Sequence, residues 1–218
     1  MIRNTLSIIF LLVLLSCQSQ EANNQAAPDP AAQDTIAIAQ APQPAPLDSA
    51  YLIVPGKSIG QIQLNMPARQ VNLILGKADS GDAAMGKALS FWLSKQATGQ
   101  PQHYVAVYTV TDFGGKKDLP KVQQVQVTSP QFQTAKGIGT GKPLSAIRKH
   151  FSNIRPIAYY QNALQQQVYI YDDQEQGIAF EVALPDSLCT AVTIHPKGEN
   201  MADIYLPLHP DITRLEQP

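Results

Sequence analysis

The sequence is poor in cysteine, in aromatic residues and in charge. Of 218 residues, two are cysteine, 7% are aromatic and 15% are charged. Two cysteines exclude a disulfide-stapled scaffold and a zinc site made of cysteine ligands. The 16 Lys and Arg residues are offset by 17 Asp and Glu residues, which excludes a general nucleic-acid binder, because phosphate contacts need clustered basic side chains. The polar character comes instead from 24 glutamines.

The chain also has no apolar run of the roughly 20 residues that a membrane-spanning helix needs. Its longest predominantly apolar run, Leu6 to Leu15, has ten residues and follows the basic Arg3, a pattern typical of a signal peptide. The residues that come next, Leu14-Leu15-Ser16-Cys17, resemble the lipobox of bacterial lipoproteins. The resemblance implies a signal peptide at 1–16, lipid attached to Cys17, and a protein held in the bacterial cell envelope by acyl chains. Gln18, where inner-membrane lipoproteins carry Asp, favours the outer membrane. The alternative is an ordinary secretory signal with a chance cysteine.

A low-complexity segment follows, and residues 17–50 are predicted to be a disordered tether behind the lipid. Residues 18–50 contain ten Ala, six Gln and five Pro, with four acidic residues and no basic one. Closely spaced prolines interrupt helices and sheets, and bulky apolar side chains are too few to offset the entropy of ordering. A coil of this length has an end-to-end distance of roughly 30 Å.

The remaining chain is predicted to contain one motif twice. A shift of 76 residues places Pro67 on Pro143 and Val71 on Ile147. Proline is tolerated in the first turn of a helix, and the apolar residues behind each proline recur at i, i+4 and i+8, so a short amphipathic helix is predicted after each. Three strand-like runs follow each helix: 89–94, 103–109 and 121–128 in the first copy, and 165–171, 177–184 and 188–195 in the second.

The predicted fold class is therefore α+β. It consists of two tandem copies of a short helix followed by a three-stranded antiparallel sheet, with the helices packed on one sheet face. The first copy is 51–134, and the second is 135–218 with a C-terminal tail. Alternation from Ile178 to Leu184 predicts a strand with one wet face, which would carry Glu181.

Two glycine-containing phrases precede the predicted helices. Residues 55–66 (PGKSIGQIQLNM) and 134–141 (TAKGIGTG) resemble the entry of small helix-plus-sheet modules. Such modules occur in bacterial envelope lipoproteins of the SmpA/OmlA type and, in tandem, in the β-lactamase-inhibitor-protein fold. The resemblance implies a fold and carries no active site. Asn65 stands where these modules commonly have Gly, whereas Gly141 keeps it.

No residue pattern predicts a catalytic, cofactor or metal site. The four histidines are scattered without metal-ligand spacing, and Asp172 to Glu175 is predicted to be a solvated hairpin tip rather than a calcium loop. Cys189 is predicted to be a structural cysteine, on the strand face opposite Val192 and Ile194, because no histidine accompanies it as a base.

Three aromatic residues are the candidate binding residues. Successive side chains of a strand point to opposite faces. If Leu89, Phe91 and Leu93 face inward, Trp92 therefore faces outward. If Val168 and Ile170 face inward, Tyr169 and Tyr171 face outward. Outward Trp and Tyr on a glutamine-rich surface suit a protein or glycan partner. The alternative is that another part of the chain covers these side chains and places them in the core.

The predicted function is a non-enzymatic, membrane-anchored envelope lipoprotein that presents a module for binding another protein or the cell wall. An assembly-accessory role and an inhibitor-like role are two versions of it. The alternative is an envelope enzyme acting on peptidoglycan or glycan with a dispersed active site.

Overall fold

The computed structural model describes residues 48–96, 98–99, 101–114, 119–201, 209 and 211–216. All of these belong to one compact unit, Ala45–Pro218. The predicted signal peptide, the lipidation site Cys17 and the tether as far as residue 47 lie outside the described residues. Among the residues that the structure does describe, no helix is long and apolar enough to cross a membrane.

Thirteen strands and two helices make up the described chain. After a 3-10 turn at Ser49–Tyr51, the elements are, in order, β1 (Leu52–Val54), β2 (Ser58–Ile59), β3 (Ile62–Gln63), α1 (Ala68–Leu75), β4 (Ser80–Ala84), β5 (Lys87–Leu93), β6 (Tyr104–Thr111), β7 (Pro120–Val127), β8 (Gln133–Thr134), α2 (Leu144–His150), β9 (Arg155–Gln161), β10 (Gln167–Asp173), β11 (Ile178–Ala183), β12 (Leu188–Ile194) and β13 (Thr213–Arg214).

These strands form one large and one small sheet. The large sheet has nine strands in the order β13-β9-β10-β11-β12-β7-β6-β5-β4, and every neighbouring pair in it is antiparallel. The small sheet has the order β3-β2-β1-β8, with β1 and β8 parallel. Strands β4 to β7 and strands β9 to β12 are two successive meanders, and pairing between β7 and β12 joins them into a single surface.

The predicted α+β fold class is wrong. Strands make up 45% of the structure and the two helices are short, so the fold is mostly β. Each helix is followed by a meander of four strands rather than three, and the two meanders do not form separate sheets but belong to one continuous sheet of nine strands. A helix-plus-three-strand unit therefore does not occur in either half.

Within the two meanders, the strands that the sequence analysis missed are the first after each helix; the short strands β1, β2, β3, β8 and β13 were not predicted either. Strand β4 has the sequence SGDAA and is exposed along its whole length, so it has no apolar alternation by which to detect it. Strand β9 contains Pro156 near its start, and a proline weakens any prediction of a strand. The pairing of β7 with β12 connects residues far apart in the sequence, which local patterns do not report.

The two helix entries are built alike, as their prolines suggested. Asn65 (φ 64°) and Gly141 (φ 83°) both adopt the left-handed conformation, which glycine and asparagine tolerate better than other residues. The Asn65 N–H donates to the Val122 carbonyl and the Gly141 N–H donates to the Cys189 carbonyl, each at 2.8 Å. Asparagine thus takes the place of the expected glycine without loss of the turn.

Both faces of the large sheet are buried over most of their area. The main core lies between the sheet and a layer formed by the helices and the small sheet, where Val71, Ile147 and Ile53 pack with Phe180 and Val125. Two smaller clusters lie on the opposite face. One contains Ile157, Ile170 and Met201, and the other contains Leu89, Ala106 and Tyr108. Leu89 is thus buried and Phe91 is half-buried, but both lie on the face away from the helices.

Candidate functional site

An apolar groove lies where α1 and the small sheet meet the ends of β5 and β6. It consists of two pockets of about 200 and 150 Å³ that share Val105 and Phe132 as lining residues. The first pocket also includes Trp92 and Leu93, and the second includes Ile74. We refer to the surface lined by these five residues as the apolar groove.

Large apolar side chains are exposed at and beside the groove. Leu73 and Ile74 on the outer side of α1 are 76% and 38% exposed, and Leu93 at the end of β5 is 42% exposed. The Tyr51 ring packs edge-on against Phe132, with ring centroids 5.3 Å apart. Exposed apolar side chains grouped around aromatic residues are typical of a protein-binding surface.

Trp92 is held in place within this surface. Its indole Nε1 donates to the Gly76 carbonyl at 3.1 Å, directly after α1, and the ring packs against the main core. On the next residue, the Leu93 N–H donates to Asp79 Oδ2 at 2.8 Å. The indole is half-buried, so it contributes both to the packing of α1 and to the wall of the groove.

Tyr169 and Tyr171 lie elsewhere, on β10. The Tyr169 ring lies 5.7 Å from that of Tyr159 on β9, its direct cross-strand partner, and 6.3 Å from that of Tyr171. The Arg148 guanidinium of α2 lies 5.5 Å from the centre of the Tyr171 ring, a cation–π contact. All three tyrosines are half-buried, and we refer to them as the tyrosine row.

The structure therefore does not bring Trp92 together with the two predicted tyrosines. Strands β5 and β10 are five positions apart in the large sheet, which corresponds to about 24 Å at the usual strand spacing. Sequence reasoning missed Tyr159 and Arg148, because their proximity to β10 depends on strand register and on the placement of α2. Alternation along β9 would have been the only local signal for Tyr159.

A buried carboxylate lies on the opposite face of the sheet. Glu181 on β11 is 4% exposed and accepts hydrogen bonds from Gln126 Nε2 and from the Tyr160 hydroxyl, both at 2.8 Å. Gln126 Oε1 in turn accepts from the Tyr104 hydroxyl at 2.8 Å. The predicted wet face of β11 is wrong, because Met201 and other residues of the cluster on this face pack over the neighbouring strands.

The electrostatics of this network keep its hydroxyls protonated. Burial, and secondly the negative charge of Glu181, raise the pKa of Tyr160 and of Tyr104 far above the ordinary tyrosine value. His209 stacks on the Tyr160 ring at 3.5 Å, and its Nε2 lies 3.5 Å from Glu181 Oε1. The carboxylate is thus surrounded by polar partners, as a buried charge requires.

A second buried pair joins Asp172 and His195. The histidine Nε2 lies 2.8 Å from Asp172 Oδ1, and the other carboxylate oxygen accepts from the Met201 N–H at 3.1 Å. Asp173 is buried too, and accepts from the N–H and the side-chain amide of Gln176. The predicted solvated hairpin tip therefore begins only at Gln174, since both aspartates are fixed inside the fold.

Cys189 is a core residue. A β-bulge between β11 and β12 shifts the register so that Cys189 lies opposite Val182, and its side chain joins the same core cluster as Val192 and Ile194. The prediction that it faces the opposite side is wrong for this reason. Burial, followed by the charge of Glu181, raises the pKa of the Cys189 thiol far above its ordinary value.

Within the described ranges, no group of three or more His, Cys, Asp or Glu side chains is arranged to hold a metal ion. Glu181 and Asp172, together with His195 and His209, are held in pairs and hydrogen-bond networks on the buried faces. Asp172 and Asp173 also line a polar pocket of about 300 Å³, together with Arg155 and Glu175. The apolar groove, in contrast, is lined mainly by apolar and aromatic side chains.

Comparison with known proteins identifies no family. No family model matches the chain, and no curated protein matches it in sequence. Among solved structures, the chain is similar to a DUF4309 family protein (YjgB) from Bacillus subtilis, with 11% sequence identity and a TM-score of 0.36. That alignment covers 65% of this chain and 88% of the other.

Proposed function

We propose that this protein is a non-enzymatic, lipid-anchored envelope protein that binds a protein partner through the apolar groove. The observation that carries the proposal is the apolar groove with its exposed rim around Trp92 and Phe132. An assembly-accessory role, as in the SmpA/OmlA lipoproteins that the sequence resembles, and an inhibitor-like role are both forms of this function.

The groove has the composition of a binding hot spot. Trp and Phe bury large rigid surfaces at low entropic cost, and such residues dominate the energetics of protein interfaces. The indole of Trp92 is already oriented by its hydrogen bond to Gly76, so a partner does not have to order it on binding. Exposed Leu73 and Leu93 supply further apolar contact area on either side.

The anchor and the tether are consistent with this role. Lipid on Cys17 would hold the chain at the membrane, and the proline-rich segment before the 3-10 turn at Ser49–Tyr51 would let the folded part search for partners within roughly 30 Å of the surface. The outer membrane is the proposed location, since Gln18 follows the lipidated cysteine.

Binding is favoured over the enzymatic alternative by the state of the titratable groups. The pKa of the Cys189 thiol is raised by burial, which makes it a poor nucleophile. Glu181 and Asp172 each contact a histidine and further hydrogen-bond donors inside the fold. Asp172, Asp173 and Glu175 do line a polar pocket of about 300 Å³ together with Arg155. Both aspartates are buried and already hydrogen-bonded within the fold, so neither is placed as a free general acid or base.

A photo-crosslinking amino acid at Leu93 tests the proposal in the full chain, expressed in its native envelope. We expect a discrete crosslinked protein at Leu93 and not at Leu164, the matched control, which is 78% exposed but lies outside the groove. Equal crosslinking at both positions, or none at Leu93, would overturn the groove as a binding site. Release of fragments from isolated cell wall by the purified full chain would support the enzyme instead.

The tyrosine row favours cell-wall binding as a second candidate function. Aromatic rings that follow each other on a sheet, next to the cation of Arg148, suit sugar rings that carry carboxylates. Co-sedimentation of the full chain with purified cell wall tests this candidate. Tyr169→Phe should retain binding and Tyr169→Ala should lose it, whereas loss in neither variant would reject the row as the binding site.

A further inference from the structure

Strand β4 forms one edge of the large sheet, and within the described part of the chain no strand pairs with its outer side. It is the last strand in the sheet order, and all five of its residues are exposed. Its side chains are small apart from that of Asp82, and it contains neither of the residues, Lys and Pro, with which proteins commonly block an edge. An unblocked edge of this kind is a template for an additional strand.

The hairpin to β5 fixes which backbone groups face outward. Met85 (φ 53°) and Gly86 (φ 77°) form a two-residue turn of the type that has two positive φ angles. Ala84 and Lys87, which flank this turn, therefore form a hydrogen-bonded pair, and the pattern alternates from there along the antiparallel ladder. The N–H and C=O groups of Gly81 and Ala83 consequently point away from β5.

The hydrogen bonding at Ala83 agrees with this assignment. Its N–H donates to the Asp82 carboxylate at 2.8 Å, as expected for a group that the hairpin register directs away from β5. Among the residues that the structure describes, no Lys or Arg forms an ion pair with Asp82. The carboxylate is thus free to exchange this local hydrogen bond for a basic side chain on an incoming strand.

A pocket adjoins the edge on the face away from the helices. Its volume is about 490 Å³, and its lining includes Asp82 and Ser80 on β4, Leu89 and Phe91 on β5, and Tyr108 on β6. In strand addition, backbone hydrogen bonds supply affinity and a neighbouring pocket for alternate side chains supplies specificity. Both parts are present at this edge.

We propose that β4 accepts an extended segment of a partner protein as a tenth strand of the large sheet, with a basic side chain opposite Asp82. The inference is independent of the apolar groove. A second copy of this chain fits poorly, because full antiparallel overlap of two β4 strands places Asp82 opposite Asp82, and like charges in that position are destabilising. Residues 18–50 of the chain itself contain no basic side chain.

A synthetic peptide tests the charge of the partner. The probe has nine residues in which Thr alternates with Val around a central Lys, and its binding to the full chain in detergent is measured by fluorescence anisotropy. A cross-strand charge pair is worth roughly two- to fivefold in affinity, so the Lys peptide should bind that much more tightly than one with a central Glu. Asp82→Lys should reverse the preference, and Asp186→Lys, the same charge change in an exposed turn of another hairpin, should leave it unchanged.

Hydrogen exchange locates the bound peptide. The amides of Gly81 and Ala83 should become protected on binding, and alternate N-methylation of the peptide should abolish binding. Ala83→Pro removes an outward N–H that makes no bond to β5, so the variant should lose peptide binding with little change in melting temperature. If Ala83→Pro fails to fold, protection of the Gly81 and Ala83 amides in the wild type with bound peptide is the deciding measurement. No binding, or binding without protection at Gly81 and Ala83, would overturn the proposal. Asp82 would then be a charged residue that prevents strand pairing at this edge.

Discussion

Gln126 on β7 and Thr193 on β12 lie directly opposite each other at the junction between the two meanders. Gln126 Nε2 donates to Thr193 Oγ1 at 3.1 Å, and the same amide donates to Glu181. Val127 pairs with Val192 on one side of this contact, and Val125 pairs with Ile194 on the other. One polar pair, flanked on each side by an apolar pair, thus joins the two halves of the chain. The buried carboxylate of Glu181 is fixed at the same junction.

Removal of the carboxylate should destabilise the fold strongly. Glu181→Ala leaves one N–H of Gln126 Nε2 and the Tyr160 hydroxyl without their acceptor in a buried site, and loss of one partner from such a network costs about 3–5 kcal/mol. Urea denaturation of the full chain measures this cost. The matched variant Glu175→Ala, at an exposed glutamate, should change the free energy of unfolding by about 0.5 kcal/mol or less. Equal stability of the two variants would contradict the role of Glu181.

Stability should fall at alkaline pH because of the buried tyrosines. The pKa of Tyr160 is raised in the folded state by burial and by Glu181, so above the ordinary tyrosine pKa of about 10 the unfolded chain releases a proton that the folded chain keeps. The stability contribution is complete below that pH and is lost as the pH rises. Tyr160→Phe should make the decline shallower by about 1.4 kcal/mol per pH unit. Parallel slopes for the variant and the wild type would contradict this account.

The thiol of Cys189 should be inert in the folded protein. It is buried in the main core with a raised pKa, and the thiolate is the reactive form. A thiol reagent should not label Cys189 under native conditions and should label it in denaturant. In denaturant, the Cys189→Ala variant should therefore take up one equivalent of reagent less than the wild type. Rapid labelling of the native wild type, absent from Cys189→Ala, would show that the site is accessible.

The left-handed turn before α2 should make Gly141 sensitive to any side chain. A Cβ at this position would meet no atom within 4 Å, so the cost of Gly141→Ala is the strain of φ 83° alone, about 1–2 kcal/mol. Asn65→Gly at the equivalent turn should leave the melting temperature unchanged or raise it slightly. A stable Gly141→Ala variant would mean that the turn adopts another conformation.

Trp92 should contribute to stability as well as to binding. Trp92→Ala removes a half-buried indole and its hydrogen bond to Gly76, and we expect a loss of about 2–3 kcal/mol, which corresponds to a decrease of about 4–12 °C in melting temperature. Trp92→Phe keeps most of the packing and should lose only about 1 kcal/mol. If Trp92→Ala melts like the wild type, the indole is a surface residue.

The local parts of the fold could be predicted from the sequence. Helix α1 begins at Ala68 and α2 at Leu144, each directly after the proline that marked it. A proline fixes its own φ angle, and the apolar periodicity that follows it is set by residues within two helical turns, so both signals can be detected locally. The strand around Phe180 was detected for the same reason, since its alternation is local.

The candidate site was predictable only in part. Trp92 was identified, but its neighbours in the apolar groove, Phe132 and Ile74, come from a loop and a helix that the sequence does not connect with β5. Tyr169 and Tyr171 were identified without Tyr159, which reaches them through strand register. Several segments of the chain form the groove together, so no pattern within a single segment predicts it.

The sequence by itself determined where the short helices begin and where six of the thirteen described strands run. Only the tertiary structure decided that β7 pairs with β12, that Glu181 and Asp172 are buried, and that β4 is left as an open edge. The physical reason is that backbone angles and side-chain alternation are fixed by neighbouring residues, whereas the burial of a side chain depends on which distant segment covers it.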